Sequence, residues 1–310
     1  MQLVKYKQNP RIKQLIKESL SSVHPITNEI LLKNQDILDD FLLSYKKCDL
    51  SSECQQVTKG HQIDITFQNN QFYLQNSFCV HQQQQDKVNK IINNYLYADF
   101  DVKDFLLIAK DYYFNELANT SFKLLTDSEK HERSNLLKDA LENVKKNKTK
   151  GVYLYGSPGI GKTYVFKVLA NTFSAKGKKV AFCTLRSVID KVRRSFKSSG
   201  VKAAEITNNL KQVDVLFLDD IGGETLSPWS RDDFLFEILN YRMENKKVTF
   251  FTSNFSIDQL EENFKITKKN NAHNQEDHAI EQIKINRIIS RIQALADEKK
   301  VDWDIKRNAC

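Results

Sequence analysis

From residue 151 onward, short apolar runs alternate with amphipathic stretches. Val152–Tyr155, Lys179–Thr184, Val213–Leu218 and Val248–Thr252 read as strands. The segments 162–175, 185–197, 203–211, 232–244 and 257–263 read as helices between and after them. Apolar strands separated by helices predict a parallel sheet covered on both faces. Residues 4–20 and 26–45 show helical periodicity instead. In the second, Ile30, Leu31, Ile37, Leu38, Phe41 and Leu42 recur on one face, and Pro25 stands near its start. Ile63, Ile65 and Phe67, then Phe72 and Leu74, alternate as in small strands, and Asn69-Asn70 suits a turn between them. Gln82–Gln85 reads as loop or helix surface, with helices at 86–97, 102–119 and 127–146. Thr126 or Ser128 caps the last of these, with Glu129 and Glu132 at the positive end of its dipole. No internal repeat is visible.

Composition narrows the class. The chain has 310 residues, only nine glycines and four prolines, which excludes collagen-like and low-complexity chains. No run of 18 apolar residues suggests a membrane helix, and the first residues lack the apolar segment of a secretory signal. Cysteines at 48, 54, 79, 183 and 310 are odd in number and unevenly spaced. That fits a reducing compartment, hence a cytoplasmic protein. The net charge is +8, yet residues 1–125 carry 14 basic and 14 acidic side chains and are neutral. The whole excess lies after 125, so a polyanion-binding surface is expected there.

Gly156-Ser157-Pro158-Gly159-Ile160-Gly161-Lys162-Thr163 matches G-x-x-x-x-G-K-[ST] in full, between an apolar strand and an amphipathic helix. Glycines let backbone N–H groups curl around phosphates, and the helix N-terminus adds positive charge. Lys162 reaches the β- and γ-phosphates, the Thr163 hydroxyl suits Mg²⁺, and Tyr164 follows in the same turn. Val215-Leu216-Phe217-Leu218-Asp219-Asp220 is an apolar strand ending in two acids, at the sheet edge where open α/β folds bind ligands. Asp219 is the expected Mg²⁺ holder, and Asp220 the group that polarises water. Asn254, after the next strand, is the candidate contact to the γ-phosphate or the water.

Together these stretches resemble the AAA+ ATPases, and among them the DnaC/DnaI group of bacterial replicative helicase loaders. The likeness is carried by GSPGIGKT at 156–163, LFLDDIGGE at 216–224, WSRDDFLFEILNYRMENKKVTFFTSNFS at 229–256 and KCDLSSECQQVTKGH at 47–61. The resemblance implies an AAA+ P-loop domain at 126–310, a linker at 101–125, and a small, mainly helical, zinc-stabilised N-terminal domain at 1–100 that grips the hexameric replicative helicase. It implies ATP, Mg²⁺ and single-stranded DNA as ligands, self-association through the AAA+ domains, and hydrolysis used as a switch. It makes Lys162 and Thr163 the Walker A pair, Asp219 and Asp220 the Walker B pair, and Asn254 sensor 1. Arg291 is the first candidate for an arginine finger, Arg287 the second or an in-cis sensor, and Arg231, beside Asp232-Asp233, an interface pair. About twenty residues follow Arg291, too few for a helical lid.

Cys48, Cys54, His61 and Cys79 offer three sulfurs and a nitrogen, a set that binds zinc tetrahedrally, with His81 as a spare. The family's zinc site usually opens with a close cysteine pair, and this chain lacks one of its members. Lys191, Arg193, Arg194 and Lys197, interrupted by Phe196, combine charge with an aromatic, as single-stranded nucleic acid requires. Two other readings stay open: a transposase helper ATPase of the IstB type, and a non-enzymatic zinc-containing replication adaptor.

Overall fold

The computed structural model describes residues 2–21, 24–104, 106–109, 126–146, 149–196, 201–223, 227, 229–266 and 275–303. Most of the expected helix 102–119 and linker 101–125 lies outside the described residues, as do Lys197 and much of the polar stretch 267–278. The chain divides into two compact units, Met1–Lys87 and Val88–Cys310.

In the first unit the expected helix 4–20 is two helices, α1 (Gln2–Gln8) and α2 (Pro10–Ser19). The Asn9 side chain accepts from the backbone of Arg11 and Ile12, and Pro10 occupies the first helical position, so α2 starts afresh. Asn34 likewise separates α3 (Asn28–Lys33) from α4 (Gln35–Ser44). β1 (His61–Gln68) and β2 (Gln71–Phe78) pair antiparallel, with Phe67 opposite Phe72. Asn69 and Asn70 both have positive φ, 49° and 63°, the left-handed pair that a two-residue hairpin turn needs. The helices and hairpin enclose a small core that includes Tyr6, Ile12, Leu31, Leu38, Phe41, Ile65 and Phe72. Arg11 holds Asp64 with two hydrogen bonds, tying α2 to β1.

The second unit is an α/β structure with a six-stranded, all-parallel sheet. α5 (Val80–Asn93) begins in the first unit, ends in the second and leads into β3 (Tyr95–Ala98). Then follow α6 (Asp127–Lys145), β4 (Gly151–Tyr155), α7 (Lys162–Ala175), β5 (Val180–Thr184), α8 (Leu185–Phe196), α9 (Val201–Gln212) and β6 (Val215–Asp219). A π-helical turn at Trp229–Leu235 leads into α10 (Phe236–Glu244), β7 (Val248–Ser253), α11 (Ile257–Ile266), α12 (Gln275–Leu295) and β8 (Ala296–Lys300). The strand order is β3-β5-β6-β7-β4-β8.

The sheet is buried on both faces, which is why β4 to β7 read as continuous apolar runs. On one face Phe182, Phe217 and Phe250 stack across adjacent strands beneath Phe166 and Phe173 of α7. On the other, Ala181, Leu216 and Phe251 meet α8 to α12. Thr126 and Glu129 form a reciprocal capping box at the start of α6.

Two features depart from the sequence reading. Residues 95–98, expected to end a helix in a domain running to residue 100, form an edge strand of the second unit's sheet. The aromatic Tyr95-Leu96-Tyr97 segment pairs with β5 instead of extending α5. β8 was not expected at all, because its Ala296-Asp297-Glu298-Lys299-Lys300 sequence is mostly exposed and charged, as an outermost strand can be.

Candidate nucleotide-binding site

Parallel strands deliver their C-terminal ends to one edge, and the four central strands bring the predicted residues together there. β4 leads into the glycine loop and α7. Gly159 and Gly161 adopt φ of 81° and 98°, a region that costs any side chain with a Cβ. Lys162, only 7% exposed, curls back so that Nζ donates to the carbonyls of Gly156 (2.8 Å) and Ser157 (2.9 Å) and to Asn254 Oδ1 (2.9 Å). Burial lowers its pKa, while Asp220 and Asp219 pull the other way.

The Thr163 hydroxyl meets both Asp219 carboxylate oxygens, at 2.9 and 3.1 Å. Burial pushes the Asp219 carboxyl up, against the hydrogen bonds of Thr252 and Thr163. Asp220 sits at φ 54°, which turns its side chain out of the strand's alternation. Asn254 Nδ2 donates to Asp220 Oδ1 at 3.1 Å, so Asn254 touches both Lys162 and Asp220. A cavity of about 580 Å³ opens over these groups, with Tyr164 in its wall.

Three participants carry no motif. Thr252 accepts from the Asp220 backbone N–H (2.8 Å) and donates to Asp219 Oδ1 (2.6 Å), fixing both acids. Lys167 and Thr184 also line the cavity. Lys167 lies one helical turn after Thr163, on the same face of α7. Only the position of Lys167 relative to Thr163 was visible in the sequence.

A family model described as IstB-like ATP binding protein matches residues 98–286. The chain belongs to that family. It is 32% identical over 161 residues to the replicative helicase loader DnaI of Bacillus subtilis (strain 168), covering 52% of this chain and 49% of the relative. It is 27% identical over 105 residues to the replicative helicase loader DnaC of Escherichia coli (strain K12), covering 34% of this chain and 42% of the relative. The chain thus spans about half the length of the curated relatives it matches. A solved structure titled as that of DnaI aligns with 71% of this chain and 100% of its own, at 25% identity and a TM-score of 0.49. Within the IstB-like ATP-binding family, the chain is similar to the relatives named as the replicative helicase loaders DnaI and DnaC.

The three arginines of this family member have different surroundings. Arg231 is no candidate for an intersubunit contact. It is 3% exposed and its guanidinium is consumed by Asp232 (2.5 Å) and Glu281 (2.6 Å) of the same chain. Arg287 is exposed and lies 4.0 Å above the Phe236 ring. Arg291 is half-buried and donates from Nε to Asn240 Oδ1 at 2.9 Å.

In the first unit, Cys48, Cys54, Cys79 and His81 converge, with one donor atom from each within 4.8 Å of the others. The histidine that joins the three cysteines is therefore His81, not His61. His61 opens β1 and places its ring 5.1 Å from that of its cross-strand partner Phe78. The sulfurs of Cys48 and Cys54 are 3.8 Å apart and those of Cys54 and Cys79 are 3.7 Å apart. Tetrahedral zinc with about 2.3 Å bonds to sulfur sets neighbouring sulfurs about 3.8 Å apart. His81 presents Nδ1 to Cys48 and its Nε2 to the Ser52 carbonyl at 2.8 Å, the outer contact that orients a ligating imidazole.

The basic residues of α8 do not form one patch. The Lys191 ammonium sits 4.4 Å over the Tyr97 ring and pairs with Asp99. Arg193 turns the other way, donating to Ser227 and Ser230 beside the Trp229 ring. Arg194 is exposed, and the side chain of Phe196 lies outside the described residues.

Proposed function

We propose that this protein is an ATP-driven loader of the replicative DNA helicase. The observation that carries the reading is the single constellation at the sheet edge: Lys162, Asn254 and Asp220 form one hydrogen-bonded set, Thr163 and Asp219 another, and Thr252 joins the two. That donor set fits ATP with Mg²⁺. Lys162 would exchange its carbonyl and Asn254 contacts for phosphate oxygens, and Thr163 and Asp219 would hold the cation. Mg²⁺ supplies charge neutralisation on the phosphates. Asp220, exposed beside Asn254, is placed to accept a proton from the attacking water. Asn254, which already touches Lys162 and Asp220, reports the γ-phosphate to the water-activating side.

Loading follows from the relatives' names, not from the site alone, and supplies the partners: the hexameric helicase, single-stranded DNA and further copies of this chain. The unit Met1–Lys87 would grip the helicase, its small core braced by zinc at Cys48, Cys54, Cys79 and His81. Arg291, with Arg287 as the alternative, would reach a neighbouring subunit's nucleotide. Arg193 and Arg194, with Trp229 close by, would track the DNA backbone.

Two measurements test this. ATPase activity should vanish in Lys162→Ala and fall in Asp220→Asn; retention of activity in both would remove the enzymatic reading. The replicative helicase should co-purify with the full chain and be lost when residues 1–87 are deleted. The IstB-like description of the family keeps one rival, a transposase helper ATPase. Binding to a transposase and not to the helicase would select it.

A further inference from the structure

The outer side of the phosphate loop is held by a residue outside every motif. Arg133 belongs to α6 and is 5% exposed. Its Nη2 donates to the Ile160 carbonyl oxygen at 2.9 Å. Its guanidinium carbon lies 4.3 Å from the centre of the Trp303 ring, and Trp303 is itself fixed by donating Nε1 to Glu132 at 2.9 Å. A Cβ on Gly161 would fall 3.0 Å from Arg133 Nη1 and 3.4 Å from Nη2. The guanidinium thus packs against the Gly161 backbone, in the space a side chain there would fill.

Buried Nε has no hydrogen-bond partner among the described residues, and no carboxylate there pairs with the guanidinium. For stability alone this is a poor arrangement, since a buried charge with one backbone acceptor is costly to desolvate. Next to an anion-binding loop it has a use. Ile160 and Gly161 immediately precede Lys162, so their orientation sets where the N–H groups at the start of α7 point. A planar guanidinium can stack on an indole and hold a carbonyl at once, which an ammonium cannot do.

We propose that Arg133 is a positioning residue of the nucleotide site, fixing Ile160–Gly161 against Trp303 so that the loop is shaped for phosphate before the ligand arrives. The inference rests on reading residues 156–163 as a nucleotide loop. It deepens that reading by making the helix before β4 and the segment after the last strand joint supports of the loop.

The test compares wild type, Arg133→Met, Arg133→Lys, Trp303→Phe and Lys162→Ala in the full chain. Mg²⁺-ATP binding is titrated by calorimetry, steady-state turnover is measured, and the thermal midpoint is read without nucleotide. Arg133→Met keeps the volume and removes the fork. It should weaken Mg²⁺-ATP at least tenfold, about 1.4 kcal/mol, with a nucleotide-free midpoint no lower than wild type and kcat at saturation reduced less than affinity. Arg133→Lys should fall between, and Trp303→Phe should show a smaller loss. Wild-type affinity in Arg133→Met overturns the inference, as does an affinity loss matched by a lower midpoint, which marks a purely structural role. If Arg133→Met does not fold, Arg133→Lys decides by the same criteria. Lys162→Ala separates the two readings. Binding by wild type but not by Lys162→Ala keeps the nucleotide site even when the Arg133 inference fails, whereas no binding by wild type sinks both.

Discussion

Among the described residues Arg242 is the largest side chain with no solvent exposure, and replacing it with methionine isolates what its hydrogen bonds contribute. Its Nη1 donates to the carbonyls of Leu210, Lys211 and Val213 at the end of α9. Nη2 donates to the Val248 carbonyl at 2.6 Å and Nε to the Thr249 hydroxyl at 2.9 Å, both in β7. The arginine therefore links the terminus of one helix to the start of the sheet strand beside it. Methionine has similar length but offers no donor, so five acceptors lose their partner in a place largely closed to water. A hydrogen bond to a charged group contributes about 1.5–3 kcal/mol net, and a buried acceptor left without its donor costs about 1–3 kcal/mol. Methionine is also spared the cost of burying a charge, which already lowers the Arg242 pKa to about 9, so loss of the whole network should cost about 3–5 kcal/mol. We expect that loss for Arg242→Met. In a domain of this size it corresponds to a fall in midpoint of about 6–20 °C. Urea and thermal unfolding followed by near-ultraviolet circular dichroism would measure it, with Arg194→Met as a surface control expected within about 0.5 kcal/mol of wild type. Because Val213 and Val248 lie at the strand ends opposite the nucleotide edge, Mg²⁺-ATP affinity well below the midpoint should not change. A stability loss under about 1 kcal/mol would refute the reasoning, since the desolvation cost would then cancel the whole network.

Asp220→Asn should lower turnover about 100-fold or more while nucleotide still binds, because asparagine tolerates the φ of 54° and removes only the base; single-turnover hydrolysis alongside equilibrium binding separates the two. Chelation of metal, or Cys79→Ser, should lower the unfolding midpoint of the first unit and leave the ATPase of the second intact, read by calorimetry and by elemental analysis of the purified chain. Backbone N–H groups of Gly60 and Gln56 lower the Cys54 thiol to about 7, whereas burial pushes Cys48 up. A depressed thiol is mostly thiolate above that pH, so in chelated protein iodoacetamide should label Cys54 first, at a rate that climbs through pH 7 and levels off above it. Thr126→Ala removes half of the capping box and should cost about 1 kcal/mol in denaturant unfolding.

The central strands were legible because burial on both faces leaves an unbroken apolar run, and the loop at 156–163 because phosphate chemistry dictates residue types at fixed spacing. Asp219, Asp220 and Asn254 followed from their places at strand ends. What could not be read depended on register or on distant chain. Thr252 looks like any strand threonine until the pairing of β6 with β7 sets it between the two acids. Arg231 beside Asp232 looked available for an interface, yet its second acid, Glu281, is fifty residues away. His81 displaced His61 because β1 and β2 carry Cys79 back towards Cys48 and Cys54, so a histidine two residues past Cys79 arrives with it. β3 was missed because three half-buried residues and an exposed Leu96 at a sheet edge have no two-sided burial to mark them.

The two outermost strands of the parallel sheet, β3 and β8, are respectively the first and the last of its strands along the sequence. During synthesis, β3 therefore waits for β5 to emerge, and β4 keeps one side bare until residues 296–300 leave the ribosome. A message truncated shortly before that point would release a chain with every residue lining the candidate nucleotide cavity translated but a central strand unsheathed. Such a fragment is a substrate for edge-to-edge aggregation or for quality-control proteolysis.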